Sequence, residues 1–221
     1  MNKLTLSLVG AALAVGTIAA TRIGGWAVVS VDNAPEYFVA GKPLVLTFAI
    51  RQHGDNPLEG LKPSISAKFG SRVVQGRAWE LPTKGSYRAS ITVPDAADWQ
   101  ITIESGFGAS KGRLLPMKAV DSTHKVVALP PAERGRQLFA AKGCVTCHVH
   151  RSVDIAAMLK DFGPELTDKR FAPDYLAKFL ADPSIKPQSP NKPTMPNPVL
   201  REPEIASLVA FINSERRLTS R

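Results

Sequence analysis

The chain has 221 residues, 44% of them hydrophobic, and a formal net charge of +9 at pH 7. This length suits one or two domains, and the apolar content allows a packed core, which excludes an intrinsically disordered chain. The basic residues are spread over both halves of the sequence. A diffuse excess of this kind is compatible with acidic partners or an anionic lipid surface, but it lacks the basic, aromatic-containing clusters typical of nucleic-acid binding.

The first 20 residues predict an export signal. Lys3 supplies a short positive start, residues 4–20 form a moderately apolar stretch, and Ala19-Ala20 offers a small-residue cleavage point. Polar residues and glycines dilute the apolar stretch, which favours a signal peptide over a permanent membrane span. The alternative is an uncleaved anchor, through which the amino terminus would associate with a membrane. Both interpretations predict a protein that leaves the cytoplasm.

Residues 25–120 show an alternation of apolar and polar residues with a period of two, which predicts half-buried antiparallel strands. The predicted strands lie at 26–31, 44–51, 64–69, 87–93, 99–104 and 113–118. Turn signals rich in Gly, Pro and Asn separate them. About six or seven short strands without a helical pattern predict an immunoglobulin-like β-sandwich. Only the architecture is analogous to antibody domains, because the region contains no cysteine.

The predicted sandwich offers two candidate copper ligands, His53 and Met117, because exported β-sandwiches sometimes bind copper through His and Met. No cluster of His, Cys and Met accompanies them, and His53 lies in a Gly-Asp-Asn-Pro turn where a solvated histidine is ordinary. We therefore interpret this region as an interaction module, whose edge strands and loops are available to a partner.

Residues 121–130 are typical of a linker, since polar residues are followed by Pro130-Pro131. Beyond them the apolar residues recur with a period near 3.6, which predicts helices. The predicted helices begin with a proline and an acidic residue in the first turn, near Pro131, Pro173 and Pro203. The last of these helices carries one apolar stripe, formed by Ile205, Leu208, Val209 and Ile212.

The first predicted helix leads into the segment Cys144-Val145-Thr146-Cys147-His148, which contains the only two cysteines of the chain. Two cysteines three residues apart and a histidine directly after them form the attachment pattern of c-type haem. Each cysteine can add to one vinyl group of the porphyrin, and His148 then becomes an axial iron ligand. The segment predicts one covalently bound haem c. Since bacteria attach this group outside the cytoplasm, the motif agrees with export to the periplasm or the outer face of the cytoplasmic membrane.

Three other interpretations of the same segment are less well supported by the sequence. A structural zinc site would need four ligands, and Cys144, Cys147, His148 and His150 are crowded in sequence. A thioredoxin-like redox pair would follow a strand in a βαβ pattern, whereas the surroundings here are helical. A disulfide between cysteines three residues apart would be unusual.

The carboxyl-terminal region, at about residues 131–215, resembles a class I cytochrome c domain. The matching features follow one another along the chain: Gly135 and Phe139 with Phe211, the motif at 144–148, the turn Gly163-Pro164-x-Leu166, and Met195-Pro196. The resemblance implies an all-α, mono-haem domain over residues 131–221. It also implies that the Pro164 carbonyl accepts the Nδ1 proton of His148, and that Met195 lies in the distal ligand loop. It does not cover residues 1–130.

Met195 is the candidate sixth ligand of the iron. It stands among six prolines between residues 183 and 198, which predict an extended loop. A methionine that only fills a core gap would more usually lie on a helix, and prolines lower the entropy lost when a loop is held in one place. With His148 and Met195 both bound, the iron has no open position, which favours electron transfer over chemistry on a small molecule.

The sequence therefore predicts a multidomain protein, an all-β immunoglobulin-like sandwich followed by an all-α cytochrome c domain. We expect an electron-transfer protein rather than an enzyme, which passes single electrons between redox protein partners or to a membrane redox complex, with the sandwich as its docking module. One alternative is a haem subunit of a larger redox enzyme or respiratory complex. A second alternative is a haem-based sensor, which requires that Met195 is not a firm ligand.

Overall fold

The computed structural model describes residues 25–125, 127–156, 159, 162–186 and 194–214. The predicted export signal at residues 1–20 lies outside the described residues, as does the middle of the proline-rich loop. Within the described ranges, no helix is long and apolar enough to cross a membrane. The architecture is an all-β region of two sheets followed by a three-helix domain, which confirms the predicted fold class.

The first sheet has the strand order β1-β3-β8-β7, and β4 pairs with β3 at its side. These strands are β1 (Ala27–Val31), β3 (Leu44–Gln52), β4 (Asn56–Pro57), β7 (Arg77–Glu80) and β8 (Ser86–Ile91). The second sheet has the order β2-β11-β9-β5-β6, and β10 pairs with β9. Its strands are β2 (Tyr37–Val39), β5 (Ser64–Phe69), β6 (Arg72–Gln75), β9 (Asp98–Glu104), β10 (Lys111–Arg113) and β11 (Met117–Val120). β2 and β11 run parallel, and the other pairs are antiparallel.

The alternating segments of the sequence form the strands whose inner faces build the core between the sheets. Along β9, Trp99, Ile101 and Ile103 are fully buried while their neighbours are more exposed, as a strand with one face on the core requires. Tyr87 and Phe48 are opposite each other on β8 and β3, with ring centroids 5.8 Å apart. The two-sheet prediction is thus confirmed, while the immunoglobulin-like topology stays a prediction.

The predicted strand at residues 113–118 was wrong in its extent. β10 ends at Arg113 and β11 begins at Met117, because Leu114 and Leu115 are buried side by side instead of alternating. Leu114 packs in the core of the β region, whereas Leu115 packs in the core of the helical domain. The break therefore lets one short segment contribute to both cores.

The helical domain contains α1 (Pro131–Ala141), α2 (Pro173–Ala181) and α3 (Glu202–Ile212), each with a proline in its first turn. α1 and α3 cross at Gly135, where a Cβ atom would lie 1.9 Å from the Ser207 carbonyl oxygen. Beside this crossing the rings of Phe139 and Phe211 meet edge to face at 5.6 Å. Only a glycine at this position allows the two helices to approach so closely.

The two domains are in direct contact. The linker lies against the β region, where Tyr37 Oη donates to the Val127 carbonyl at 2.8 Å and the Leu129 amide donates to Glu36 at 2.8 Å. Arg134 on α1 donates to the Ala34 carbonyl at 2.5 Å. The linker and the first turns of α1 are therefore hydrogen-bonded to the start of β2 and to the loop before it.

A buried ion pair forms the centre of this contact. Lys142, directly after α1, places its Nζ 2.9 Å from Glu204 Oε1 on α3 and donates to the Asp32 carbonyl of the β region at 3.3 Å. The side chains of Lys142 and Glu204 are 2% and 5% exposed. Burial raises the pKa of Glu204, but hydrogen bonds from Arg201 and Lys142 outweigh it and lower the pKa overall. One lysine thus connects α1, α3 and the β region.

Candidate haem-attachment site

The end of α1 places both cysteines and the histidine of the motif on one turn. Gly143 adopts a left-handed φ of 79° and starts a short 3-10 helix, Cys144–Thr146. The amides of Cys147 and His148 both donate to the Cys144 carbonyl, at 3.2 and 2.9 Å. Both thiols are half-buried and free, so they are not joined in a disulfide. The chain thus presents two thiols and an imidazole from a single compact segment.

The state of the thiols helps to decide between the interpretations of the motif. Burial raises the pKa of Cys144 to about 12 and that of Cys147 to about 11, so both are protonated at neutral pH. A redox dithiol or a thiolate zinc site is normally found where the thiol pKa is lowered. Among the described residues, no group of three or more His, Cys, Asp or Glu side chains is arranged to hold a metal ion. The raised pKa values argue against a redox dithiol, which reacts through its thiolate.

The His148 imidazole is held by the turn that follows it in sequence. Its Nδ1 atom lies 2.9 Å from the Pro164 carbonyl oxygen. Since a carbonyl can only accept, Nδ1 carries the proton and Nε2 keeps its lone pair for a metal. Burial lowers the pKa of His148, and the bond to Pro164 opposes this only in part. The imidazole is therefore neutral, as an iron ligand must be.

Gly163 allows the turn to lie directly against the imidazole. A Cβ atom at this position would be 2.6 Å from His148 Cε1 and 2.7 Å from Nδ1. The Gly163 amide donates to the Cys147 carbonyl at 3.1 Å, which closes the turn on the motif. A cradle that only glycine can form, together with one free nitrogen and two free thiols, fits a covalently bound haem with His148 as an axial ligand.

Met195 is half-buried and packs against the apolar cluster of the helical domain, the same cluster that Cys144 contacts. Near it, Val199 adopts a left-handed φ of 52° and its amide donates to the Asn197 side chain at 2.8 Å. The structure thus places Met195 in the same domain and on the same core as the motif. Its role as sixth ligand stays a prediction.

His150, which the zinc alternative required, points elsewhere. It is 5% exposed, and its ring lies 4.3 Å from the Phe211 ring and 6.0 Å from the Phe139 ring. The Ser152 amide donates to its Nδ1 at 3.3 Å, and its buried Nε2 has no hydrogen-bond partner. His150 therefore belongs to the aromatic contact between α1 and α3.

The β region reaches this site, which no pattern in the sequence indicated. Trp26 contacts Phe162, which precedes the Gly163 turn, and Gly54 contacts Pro196, which follows Met195. His53 is exposed, as expected for a turn, but its ring lies against Trp26. Contacts over such sequence distances leave no local signal, so no pattern could have predicted them.

A turn with two thiols and a neutral histidine held by a backbone carbonyl defines a haem-binding domain of the c type. The family model for cytochrome c matches residues 132–215. This part of the chain is a cytochrome c domain, and it follows a two-sheet β region. The family implies covalent haem c and haem-based electron transfer, and its members are typically electron carriers rather than enzymes.

The other comparisons add no assignment for the β region. A search of the curated proteins found no match to this chain. Among solved structures, the ZirS C-terminal Domain is similar at a TM-score of 0.30 and 10% sequence identity, over 54% of this chain and 86% of that chain. At this TM-score the likeness carries no argument about the fold or function of the β region.

Proposed function

We propose that the protein is an exported mono-haem c-type cytochrome that passes single electrons between redox protein partners. The observation that carries the proposal is the His148 imidazole, which the Pro164 carbonyl holds in the tautomer that leaves Nε2 free for iron. When bound, the haem supplies an iron centre that accepts and returns one electron. Export to the periplasm or the outer face of the cytoplasmic membrane follows from the predicted signal and the site of haem attachment.

Each site residue has a role in this proposal. Cys144 and Cys147 hold the group covalently on the same turn that presents His148. Pro164 orients the proximal imidazole, and Met195 supplies a thioether as the sixth ligand. With His148 and Met195 as its ligands, a haem iron would have a raised reduction potential and no open position. The chain then has only to keep both ligands in place while the charge of the iron changes.

The β region is proposed as the docking module for a redox partner. Large apolar side chains are exposed on both of its sheets, and these are Val45, Phe69, Val73 and Trp79, with 43–53% of their surface accessible. Exposed apolar residues that lie together mark interaction sites, although single ones are ordinary on any surface. The observation equally favours a second candidate function, a haem subunit held within a larger redox enzyme or a membrane redox complex.

The first experiment is an optical spectrum of the full chain, exported from a host with c-type haem maturation. We expect covalent haem, a near-infrared-edge methionine–iron band in the oxidised protein, sharp reduced α and β bands, and no prompt response to carbon monoxide. Met195→Leu should abolish the methionine–iron band. Met117→Leu is the matched control, because Met117 is buried in the β core and should leave the spectrum unchanged.

Two results would contradict the proposed function. Absence of covalent haem would overturn the proposal as a whole. A prompt carbon monoxide shift in the unaltered protein would mean an open or labile position, and it would favour the sensor alternative. The size of the native protein extracted from its cells distinguishes the two candidate functions. A free carrier migrates alone, whereas a subunit remains in a larger haem-containing assembly.

A further inference from the structure

One small surface of the β region contacts two loops that follow the haem motif in sequence. One loop contains Phe162 and the other contains Pro196. We call this surface the loop-contact patch and define it as Trp26, His53 and Gly54. Trp26 directly precedes β1, and the other two form the turn after β3. The His53 amide donates to the Trp26 carbonyl at 3.1 Å, and their rings lie 5.2 Å apart. The patch is therefore a single, internally bonded unit.

On the proximal side the patch contacts Phe162. The Trp26 and Phe162 rings meet edge to face, with their centroids 5.2 Å apart and their planes at 76°. Phe162 is followed by Gly163, which lies against the His148 imidazole, and by Pro164, which accepts its hydrogen bond. Trp26 thus packs on the residue directly before the turn that orients the proximal ligand.

On the distal side the patch contacts Pro196. Gly54 is buried, and a Cβ atom on it would lie 2.4 Å from Pro196 Cγ and 2.9 Å from Pro196 Cβ. The Gly54 backbone therefore lies directly against the proline ring that follows Met195. Gly54 has a φ of +88°, and its amide donates to the Arg51 carbonyl at 3.2 Å, which fixes the shape of the turn.

We propose that the loop-contact patch positions both axial ligands, so that the β region controls how firmly Met195 stays on the iron. This proposal rests on the proposed ligation by His148 and Met195. A loop that dissociates its ligand must move, and contact with a fixed surface removes some of the positions available to it. The patch thus shifts the equilibrium between bound and dissociated methionine towards the bound state. Its residues are positioning residues that do not touch the iron.

The sharpest test is Gly54→Ala in the full haem-loaded chain, compared with Gly41→Ala. Both glycines have a left-handed φ, +88° and +75°, so alanine strains the backbone in both cases. Only Gly54 faces Pro196, whereas a Cβ on Gly41 meets nothing within 4 Å. We expect Gly54→Ala to weaken the methionine–iron band and to speed carbon monoxide binding to the reduced protein. Gly41→Ala should change neither.

A second pair of variants covers the case that Gly54→Ala does not fold. Trp26→Ala removes the ring contact to Phe162, and the control Val74→Ala shortens a partly buried side chain on β6, at the end of the second sheet. Trp26→Ala should speed carbon monoxide binding by about two- to tenfold, the range that corresponds to the loss of one aromatic pair. Phe162→Ala should have a similar effect, and combining the two should add little because they remove the same contact.

The outcomes separate this inference from the function on which it rests. If the unaltered protein shows the methionine–iron band, and Trp26→Ala and Phe162→Ala match Val74→Ala in band intensity and carbon monoxide rate, the patch does not position the ligands. The proposed function would then still stand. If the unaltered protein lacks the band, both the methionine ligation and the positioning role are overturned.

Discussion

The two domains differ in what builds their cores. Of the twelve largest side chains that are fully buried among the described residues, nine belong to the β region, including Trp99, Tyr87 and Phe48, and three belong to the cytochrome c domain. Both apolar clusters are bordered by partly buried residues, and those of the cytochrome c domain include Cys144, Phe171 and Met195. The β region is therefore stabilised by its own side chains, whereas we expect the stability of the cytochrome c domain to depend also on the haem that its cysteines and histidine would bind.

The two domains should therefore differ in the source of their stability. Burial of apolar surface contributes about 25 cal/mol per Å², and the β region obtains this contribution from interdigitated side chains alone. In a domain that binds a prosthetic group, binding free energy is part of the folding free energy. Changes at the haem motif should thus unfold one domain and spare the other.

The largest expected effect comes from the double variant Cys144→Ser, Cys147→Ser. It removes both attachment points, so we expect complete loss of covalent haem and of most helical circular dichroism. The near-ultraviolet signal of the buried Trp99 should persist, because the β core does not include the motif. Haem staining of denaturing gels and circular dichroism measure the two results. A fully helical haem-free variant would contradict the proposed division of stability.

The next effect tests the contact between the domains. Glu204→Gln leaves Lys142 buried without its charge partner, and breaking a buried pair costs about 3–5 kcal/mol. The control is Glu133→Gln, which breaks the exposed pair with Arg136, whose side chains are 36% and 41% accessible. Such a surface pair contributes about 0–1 kcal/mol. Urea unfolding followed by helical circular dichroism gives both values, and equal losses in the two variants would show that the buried pair has no special role.

A smaller loss of stability is expected from a substitution at the crossing of α1 and α3. Gly135→Ala gains helix propensity of about 1 kcal/mol, but the new methyl group would collide with the Ser207 carbonyl and with Phe211, whose Cβ would be 2.6 Å away. Overpacking of this kind costs about 1–3 kcal/mol, so the clash decides the sign. Thermal unfolding of the haem-loaded protein measures the change in stability. A variant that is more stable than the unaltered protein would show that the helices separate without cost.

The smallest effect is a gain of stability in the distal loop. Val199 holds a left-handed φ of 52° although it is β-branched, a strain of about 1–3 kcal/mol. Asparagine tolerates this conformation better, so Val199→Asn should stabilise the chain by about 1 kcal/mol. Val127→Asn is the control, since Val127 is also an exposed valine but does not have a positive φ. A stability gain that is the same in both variants would refute the strain argument.

The sequence predicted those parts of the molecule whose signal is local. The motif at 144–148 and the turn at Gly163 carry their chemistry in neighbouring residues, and the strands with one buried face show it as alternation. β6 and β7 were missed because neither has a fully buried residue, so neither shows a period. The Lys142–Glu204 pair and the contact of Gly54 with Pro196 join residues far apart in the chain, and no pattern within a single segment indicates them.

The position of Lys142 has a consequence for local opening. Helix ends usually fray, and their amides exchange rapidly with solvent hydrogen. Here the amide of Lys142 donates to the Leu138 carbonyl at 2.8 Å, while its ammonium group is bonded to α3 and to the β region. Opening the last turn of α1 would expose a buried ion pair and separate the domains at once. The carboxyl-terminal amides of α1 should therefore be among the slowest to exchange in the cytochrome c domain, the reverse of the usual order along a helix.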